Sequence, residues 1–407
     1  MQEAIAAEIT KVSEGNAASP KGFSADGVHC GLRYEKKDIG ILFSKVPANC
    51  AAVYTQSHFQ AAPLQVTRES IAEEGKIQAL LVNSGIANAC TGKKGLLDAY
   101  EMRSLAAAKL GIKEHHVAVA STGVIGEHLK MDLIEKGVEM LNPVPEGGSS
   151  FHTAILTTDT CEKSSCWQFK ADGKTITVGG AAKGSGMIHP NMATMLGFIS
   201  TDANVEADAL QEALKNITNH TFNQITVDGE TSTNDMVLVM ANGCAENEPL
   251  NRNHKDWDIF CDTLQIVCEE LAKSIARDGE GATKLIEANV SGARTDEEAR
   301  VVAKKIVGSS LVKSAVYGED ANWGRIIGAM GHSNAYMEPA GIDIYLGGHC
   351  MLEAGEPQSF SEELAKAYLQ GEEITIGVDL HVGEGKGTAW GCDLTYDYVK
   401  INASYRT

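Results

Sequence analysis

The segment 183–198 carries the residues of this chain best suited to covalent chemistry. It has the sequence KGSGMIHPNMATMLGF and places the hydroxyl of Thr194 directly after a small residue, Ala193. Glycines and one cation, Lys183, precede this pair, and apolar residues follow it. A backbone that bends sharply before a threonine suits an attack on the preceding carbonyl. We therefore predict that Thr194 cuts the chain at Ala193–Thr194 and then serves as an N-terminal nucleophile.

The cut would place a nucleophile and a base on one residue. A free α-amine ordinarily has a pKa of about 7.7–8.0, so it can accept the proton of its own hydroxyl near neutral pH. The alternative is a threonine in an ordinary strand or helix start, because short motifs produce many false matches.

A second candidate element is the turn Ser121-Thr122-Gly123, which follows a predicted strand. The hydroxyl of Thr122 and the backbone N–H of Gly123 are groups that an oxyanion hole uses. A plain turn is the commoner use of these residue types.

Several further residues suit the binding of a charged ligand. Lys183 offers a point charge for a carboxylate, unless it is a solvated surface lysine. Glu280 lies between two glycines and suits an amine, unless it only ends a helix. The remaining candidates are Thr157 or its neighbour Thr158 beside Asp159, and Asn402 and Thr407 in the terminal NASYRT, where a frayed tail is the default.

Composition limits the possible partners. The 407 residues carry a net charge of −19, which argues against nucleic acid and against an anionic membrane surface. The N-terminus has no apolar signal region, and no apolar run reaches membrane-spanning length. The ten cysteines are expected to be reduced, and Cys161 and Cys166 lack a second pair for a zinc site. We therefore expect a cytoplasmic protein that has neither a metal nor a bound cofactor.

Hydrophobic patterns predict an α+β fold in which helices and strands form layers. A weak domain boundary falls near 279–284. Helix caps are expected at Thr295 and Ser359. Helices are predicted at 96–110, 131–141 and 256–277, strands at 77–82, 117–120, 374–382 and 392–401, and a hairpin turn at 383–391.

Taken together, the motifs resemble those of the ArgJ family, the ornithine acetyltransferases or glutamate N-acetyltransferases. They occur in order along essentially the whole chain. They are NSGIANACTG (83–92), ASTGVIGE (120–127), LTTDT (156–160), KGSGMIHPNMATML (183–196), DGEGATKL (278–285), GEDANWGRI (318–326) and NASYRT (402–407).

The resemblance implies an activity and roles for residues. Self-cleavage would give an α chain (1–193) and a β chain (194–407), which pair into an α2β2 heterotetramer. Thr194 would carry acetyl from N2-acetylornithine to glutamate, with Thr122 and Gly123 as the oxyanion hole. The substrate-binding positions would be Thr157, Lys183, Thr194, Glu280, Asn402 and Thr407. Ile86 stands where the family motif has asparagine, so its loop is expected to pack differently.

The resemblance also implies a fold and leaves functions to compare. The fold would be a layered α/β sandwich related to self-processing aminopeptidases, with a main domain at 1–279 and a smaller α+β domain at 284–407. No cofactor is implied, although acetyl-CoA is a possible second acetyl donor. The rival readings are a self-processing amidase or aminopeptidase, and a ligand-binding protein that is never cut.

Overall fold

The structure of this protein is a computed structural model that describes residues 8–189 and 195–404. Helices and strands both occur along these residues, and most strand pairs are antiparallel, which confirms the predicted α+β class. The described residues form two units, one of 8–184, 195–219 and 231–271, the other of 185–189, 220–230 and 272–404. The domains 1–279 and 284–407 stay a prediction.

Within the described residues, the first unit has a nine-stranded sheet. Its strands are β1 (Thr10–Lys11), β2 (Phe23–Val28), β3 (Ile39–Tyr54), β4 (Lys76–Asn83), β5 (Val117–Ser121), β6 (Lys163–Ala171), β7 (Lys174–Lys183), β8 (Leu196–Thr201) and β10 (Met236–Ala241). They lie in the order β1-β6-β7-β8-β10-β3-β4-β5, and β2 pairs with β3.

Six helices are described for the chain up to Arg277. They are α1 (Ala62–Glu74), α2 (Gly92–Leu110), α3 (Met131–Met140), α4 (Gly148–Ile155), α5 (Ala207–His220) and α6 (Trp257–Arg277). The predictions for 77–82, 96–110, 117–120, 131–141 and 256–277 are confirmed within a few residues at each end.

The strand β4 is buried on both faces, which explains its continuous apolar run. Leu80 and Val82 belong to one apolar cluster, and Ala79 and Leu81 belong to another. Because side chains alternate along a strand, these clusters cover opposite faces of the sheet. The central strands therefore form a rigid support for the polar turns at their ends.

Strands from both sides of residues 190–194 are interleaved in this sheet. β7 pairs with β8 in antiparallel fashion, and Lys183 lies opposite Leu196. β8 pairs in parallel with β10, and Leu196 lies opposite Met236. β10 then pairs in antiparallel fashion with β3. Two strands that follow Thr194 in sequence thus lie between two strands that precede it.

The second unit is built on a seven-stranded sheet within the described residues. Its strands are β9 (Ile225–Thr226), β11 (Leu285–Ala293), β12 (Asp343–Leu346), β13 (His349–Glu353), β14 (Glu356–Pro357), β15 (Glu373–Asp379) and β16 (Gly385–Cys392). They lie in the order β14-β13-β12-β15-β11-β16-β9. The helices are α7 (Asp296–Gly308), α8 (Ser310–Tyr317), α9 (Trp323–Met330), α10 (Glu362–Leu369) and α11 (Tyr396–Ala403).

Two predictions near the C-terminus are wrong. The segment 383–391, predicted as a turn, mostly forms β16, and the strand predicted at 392–401 is replaced by α11. A Cβ on Gly387 would lie 2.4 Å from the backbone nitrogen of Arg300, and one on Gly391 would lie 2.8 Å from the carbonyl oxygen of Val307. These glycines therefore allow α7 to lie directly on the strand, rather than forming a turn.

The helix caps and the 374–382 strand gave mixed outcomes. Thr295 caps α7, since its hydroxyl accepts a hydrogen bond from the amide of Glu298 at 3.2 Å. The cap predicted at Ser359 is wrong because Ser361 caps α10 and accepts from Leu364 at 3.3 Å. The strand predicted at 374–382 is confirmed as β15, which ends three residues earlier, at Asp379. No helix in the described residues is long and apolar enough to cross a bilayer.

We predict that Gly387→Ala destabilises the protein by about 1–3 kcal/mol, because the added methyl group overlaps the backbone of α7. The matched control is Gly348→Ala, since a Cβ there meets no atom within 4 Å. Urea unfolding of both variants measures the difference. Equal stability of the two variants would contradict the close packing of α7 on β16.

Candidate active site

The turn after β5 has a backbone that only glycine can adopt. Gly123 has a φ of +129°, and a Cβ there would lie 2.2 Å from the carbonyl carbon of Gly85. Thr122 donates its amide hydrogen to the carbonyl of Asn83 at 3.0 Å, and Val124 donates to the carbonyl of Gly85 at 3.0 Å. The two flanking amides are therefore used in fixing the turn.

The two predicted oxyanion groups are differently engaged. Among the described residues, the amide of Gly123 has no hydrogen-bond acceptor. The hydroxyl of Thr122 accepts a hydrogen bond from Nζ of Lys183 at 3.4 Å, and both side chains are buried. This arrangement provides a buried hydroxyl, an unengaged amide and a cation in one place, which suits an oxygen that gains negative charge.

Asn234 holds this turn in place, although the sequence analysis did not select it. Its carboxamide donates to the carbonyl of Ser121 at 2.7 Å and to that of Ala87 at 2.6 Å. The hydroxyl of Thr233 donates to the carboxamide oxygen at 2.6 Å. The sequence contained one indication, because the polar run TSTND directly precedes the apolar strand β10.

Asp159 brings two of the predicted binding residues together. Its carboxylate accepts hydrogen bonds from Nζ of Lys163 at 2.7 Å, the amide of Gly184 at 2.7 Å and the amide of Thr157 at 3.0 Å. Gly184 follows Lys183 in the chain, so one carboxylate fixes the backbone at Thr157 and beside Lys183. Asp159 itself is only 4% exposed.

The electrostatics of Asp159 favour its ionised form. Burial by itself would raise the pKa of this carboxyl group, but the nearby charges of Lys183 and Lys163 and the hydrogen bonds hold it well below its usual range. A buried carboxylate with this many donors is a stable anchor for the surrounding backbone.

The segment around Thr157 is also held from the other side. The guanidinium group of Arg33 donates to the carbonyl of Leu156 at 2.5 Å and to that of Thr157 at 2.9 Å. Thr157 and Thr158 are both half-buried. The choice of Thr157 over Thr158 as a substrate contact therefore stays a prediction.

Asp235 is another buried carboxyl group of the first unit, and the sequence does not point to it. It is 3% exposed and directly precedes β10. Burial raises its pKa well above the ordinary value, and neither a hydrogen bond with Ser232 nor the charge of Lys183 reverses this shift. Its Oδ2 atom is buried and has no hydrogen-bond partner among the described residues.

Two other predicted binding residues meet within the second unit. The carboxamide of Asn402 donates to Oε2 of Glu280 at 2.8 Å. The amide of Glu280 donates to the carbonyl of Ser185 at 3.0 Å. A Cβ on Gly186 would lie 2.4 Å from the carboxyl carbon of Glu280, so the glycine makes room for this side chain. Asn402 is positioned by α11 rather than by the strand that was predicted.

Three predicted residues, Ala193, Thr194 and Thr407, lie outside the described residues. Ile86 is buried in an apolar cluster of the first unit. Its carbonyl accepts a hydrogen bond from the carboxamide of Asn83 at 2.9 Å. The loop containing Ile86 is therefore fixed by apolar packing and by a backbone contact.

Two groups of side chains in the described residues bring possible metal ligands within 4.8 Å of one another. One comprises Glu74, His115 and His116, and the other comprises Asp172, His254 and Asp256. Glu74 already accepts a hydrogen bond from Nζ of Lys113 at 2.6 Å. Neither group includes a predicted site residue.

Known proteins resemble this chain over almost its whole length. A family model described as the ArgJ family matches residues 24–407. "Arginine biosynthesis bifunctional protein ArgJ" of Bacillus subtilis (strain 168) is 63% identical over 400 residues, which cover 98% of each chain. The protein of the same name from Geobacillus kaustophilus (strain HTA426) is 64% identical over 403 residues, again 98% of each chain.

A solved structure is also similar. The crystal structure of arginine biosynthesis bifunctional protein argJ from Bacillus halodurans is 61% identical and has a TM-score of 0.52. The match covers 52% of this chain and 100% of that chain. Together, the family model and the relatives show that this chain belongs to the ArgJ family, which confirms the resemblance found in its motifs. The relation to self-processing aminopeptidases stays a prediction.

We predict that Gly123→Ala lowers acetyl-transfer activity at least tenfold, because a Cβ would collide with the backbone of Gly85 and displace the turn. Gly126→Ala is the matched control, since Gly126 also has a positive φ, of +85°, but meets no atom within 4 Å. Steady-state kinetics of both variants provide the test. If both variants lose activity equally, the strain of a side chain at positive φ explains the loss. The close approach of Gly123 to the backbone of Gly85 would then be unimportant.

We predict that Asp159→Asn destabilises the protein by about 3 kcal/mol at pH 7, since it leaves the buried ammonium group of Lys163 without its carboxylate. The pKa of Asp159 is lowered by folding, so its contribution is complete above the unfolded pKa and is lost as pH falls through the folded value. The difference between wild type and variant should therefore shrink below about pH 4.

Urea unfolding across this pH range measures the effect. Asp397→Asn, which removes an exposed ion pair with Lys400, should change stability little at any pH and is the control. A pH-independent difference for Asp159→Asn would show that folding does not lower the pKa of Asp159.

Proposed function

We propose that this protein, an N-acetyltransferase by its family, transfers acetyl from N2-acetylornithine to glutamate. The observation that carries the proposal is the hydrogen bond between Lys183 and Thr122. It joins a residue predicted to bind a substrate carboxylate to a residue predicted to stabilise the oxyanion. This contact supports a carboxylate-binding group and the acyl chemistry lying close together in the first unit.

The proposed reaction has two steps that share one covalent intermediate. The hydroxyl of Thr194 attacks the acetyl carbonyl of N2-acetylornithine, and its proton passes to the α-amine of the same residue. The tetrahedral oxyanion receives hydrogen bonds from the hydroxyl of Thr122 and the amide of Gly123. Ornithine leaves with the proton. The neutral amine of glutamate then attacks the carbonyl of acetyl-Thr194 in the same oxyanion site, and the α-amine of Thr194 takes a proton from it. The ester bond to Thr194 breaks, the proton returns to the Thr194 hydroxyl, and N-acetylglutamate leaves.

The nucleophile is proposed to arise by self-cleavage at Ala193–Thr194. The interleaved sheet supports this, because β7 and β8 are bonded to each other and need no peptide link to stay together. The match to the Bacillus halodurans chain also supports it, since that chain corresponds in full to about half of this one. This is the length expected for one product of a cut near the middle.

The binding residues divide by charge. Lys183 suits the α-carboxylate that acetylornithine and glutamate share. Glu280 and Asn402, which are hydrogen-bonded to each other, suit the side-chain amine of ornithine. Thr157 and Thr407 complete the proposed set. Because each substrate is an α-amino acid or its acetyl derivative, the contact with Lys183 can serve each in turn.

Three finer points belong to the proposal. The relatives are named bifunctional, which favours acetyl-CoA as a second acetyl donor. The cut chains are proposed to assemble as an α2β2 heterotetramer. A biosynthetic role in amino-acid metabolism favours the cytoplasm.

We predict that Thr194→Ala yields one uncut polypeptide whose transferase activity is below about 10⁻³ of wild type, because nucleophile and base are lost together. Thr194→Ser keeps a hydroxyl and should still be cut. Intact mass under denaturing conditions, with N-terminal sequencing, measures cleavage. A cut and active Thr194→Ala protein would exclude Thr194 as the nucleophile, and an uncut wild-type protein would favour the binding-protein reading.

The acceptor distinguishes the proposal from the amidase alternative. For a transferase, glutamate accelerates the loss of N-acetylornithine, and N-acetylglutamate forms in equal amount. For an amidase, acetate forms at a rate that glutamate does not change. Measurement of both products with and without glutamate separates the two.

A further inference from the structure

We infer that Asp235 is a further substrate-binding residue, whose carboxylic acid contacts the α-carboxylate of N-acetylornithine and of glutamate beside Lys183. The inference rests on the proposed function, which supplies the two substrates. Nothing in the sequence motifs selects Asp235, but its burial, its position and the charges around it point to this role.

One carboxyl oxygen of Asp235 lacks a hydrogen-bond partner within the described part of the chain. The residue is 3% exposed, and Oδ2 is buried with no hydrogen-bond partner among the described residues. A buried polar atom without a partner is destabilising, so such atoms are rare in folded proteins. An orphan atom beside a predicted binding residue indicates that a ligand supplies the missing partner.

Asp202 provides a comparison within the same unit. It is equally well buried, but its two carboxylate oxygens accept hydrogen bonds from the amides of Thr177 at 2.8 Å and Lys21 at 2.9 Å. Both carboxylate oxygens of Asp202 therefore accept hydrogen bonds from backbone amides. The orphan oxygen of Asp235 is not a general feature of buried aspartates in this protein.

Asp235 and Lys183 lie at the same end of nearby strands in the sheet. Lys183, Leu196 and Met236 lie opposite one another on the neighbouring strands β7, β8 and β10. Asp235 directly precedes Met236, the first residue of β10. It therefore lies at the same end of the strands as Lys183, the last residue of β7. The carbonyl of Asp235 accepts the amide of Thr55 at 3.0 Å, which fixes its backbone.

Lys183 lies among other buried side chains that can carry charge. The buried residues Lys163 and Lys183 provide two positive charges, and Asp159 provides one negative charge. Burial raises the pKa of Asp235, which favours its protonated form. With Asp235 protonated, these four side chains, the Lys183 cluster, carry one net positive charge, which a single substrate carboxylate would neutralise. An ionised Asp235 would cancel that charge and repel the substrate.

A neutral carboxylic acid has the chemistry for this contact. It donates one hydrogen bond through its O–H, and a carboxylate accepts strong hydrogen bonds of this kind. Lys183 would attract the α-carboxylate by its charge, and the hydrogen bond from Asp235 would hold that carboxylate in one orientation. Because both substrates have this group, the same contact serves both halves of the reaction.

The test compares Asp235→Leu with Asp235→Asn. Leucine has a similar size and no hydrogen-bonding group, whereas asparagine keeps a neutral donor at the same place. Asp235→Leu should raise KM for both N-acetylornithine and glutamate about tenfold or more, because no hydrogen-bond donor then faces the substrate carboxylate. Asp235→Asn should keep both KM values within about threefold.

Two controls accompany these variants. Asp202→Asn should lower Tm and leave both KM values unchanged, because Asp202 serves only the backbone. Lys183→Ala should raise both KM values. Intact mass is recorded for every variant. Where a variant is uncut, calorimetric binding of N-acetylornithine is compared with that of the uncut Thr194→Ala protein.

The outcomes separate the inference from the proposed function. Unchanged KM values, or unchanged calorimetric affinity, for Asp235→Leu would overturn the inference while leaving an active wild-type enzyme intact. A rise in KM for N-acetylornithine alone would also overturn it, since only that substrate has the side-chain amine. Equal losses in Asp235→Asn and Asp235→Leu would overturn the role of a neutral donor. An inactive wild-type protein would instead contradict the proposed function.

Discussion

The carboxylate of Asp159 is the interaction on which the candidate site depends. It is buried, it is held ionised by two lysines, and it accepts hydrogen bonds from Lys163 and from the backbone at Thr157 and Gly184. A buried carboxylate is costly unless donors compensate its lost hydration. The backbone around the site must therefore keep the conformation that presents these donors. This conformation fixes the backbone position from which the side chain of Lys183 extends.

A similar principle operates at the turn after β5. There, the carboxamide of Asn234 binds the carbonyls of Ser121 and Ala87 and so joins two loops from different strands. Gly123 occupies a backbone conformation that side chains disfavour and a space that no side chain fits. Both features keep a flexible-looking, glycine-rich sequence in one shape. The first unit thus combines a rigid apolar sheet with loops fixed by buried polar groups.

Much of this could be predicted from the sequence where the residue pattern itself determines the element. The apolar run of β4 and the helical periodicity of α6 belong to this group. The glycines of β16 do not, because their role depends on the backbone of α7, which is distant in sequence. The same reason explains why family motifs indicated Thr122, Lys183 and Glu280, while Asn234 and Asp235 were missed. Their importance lies in burial and in partners that only the fold brings together.

The interleaving of β8 and β10 between β7 and β3 has a consequence for the cut protein. If the chain is severed before Thr194, the two products share one continuous sheet and cannot part without breaking its centre. Folding would then occur once, as an intramolecular process in the precursor. Unfolding of the mature protein would release two separate chains, so its recovery would depend on protein concentration and on their meeting again. Such a molecule would be kept intact mainly by a slow rate of unfolding.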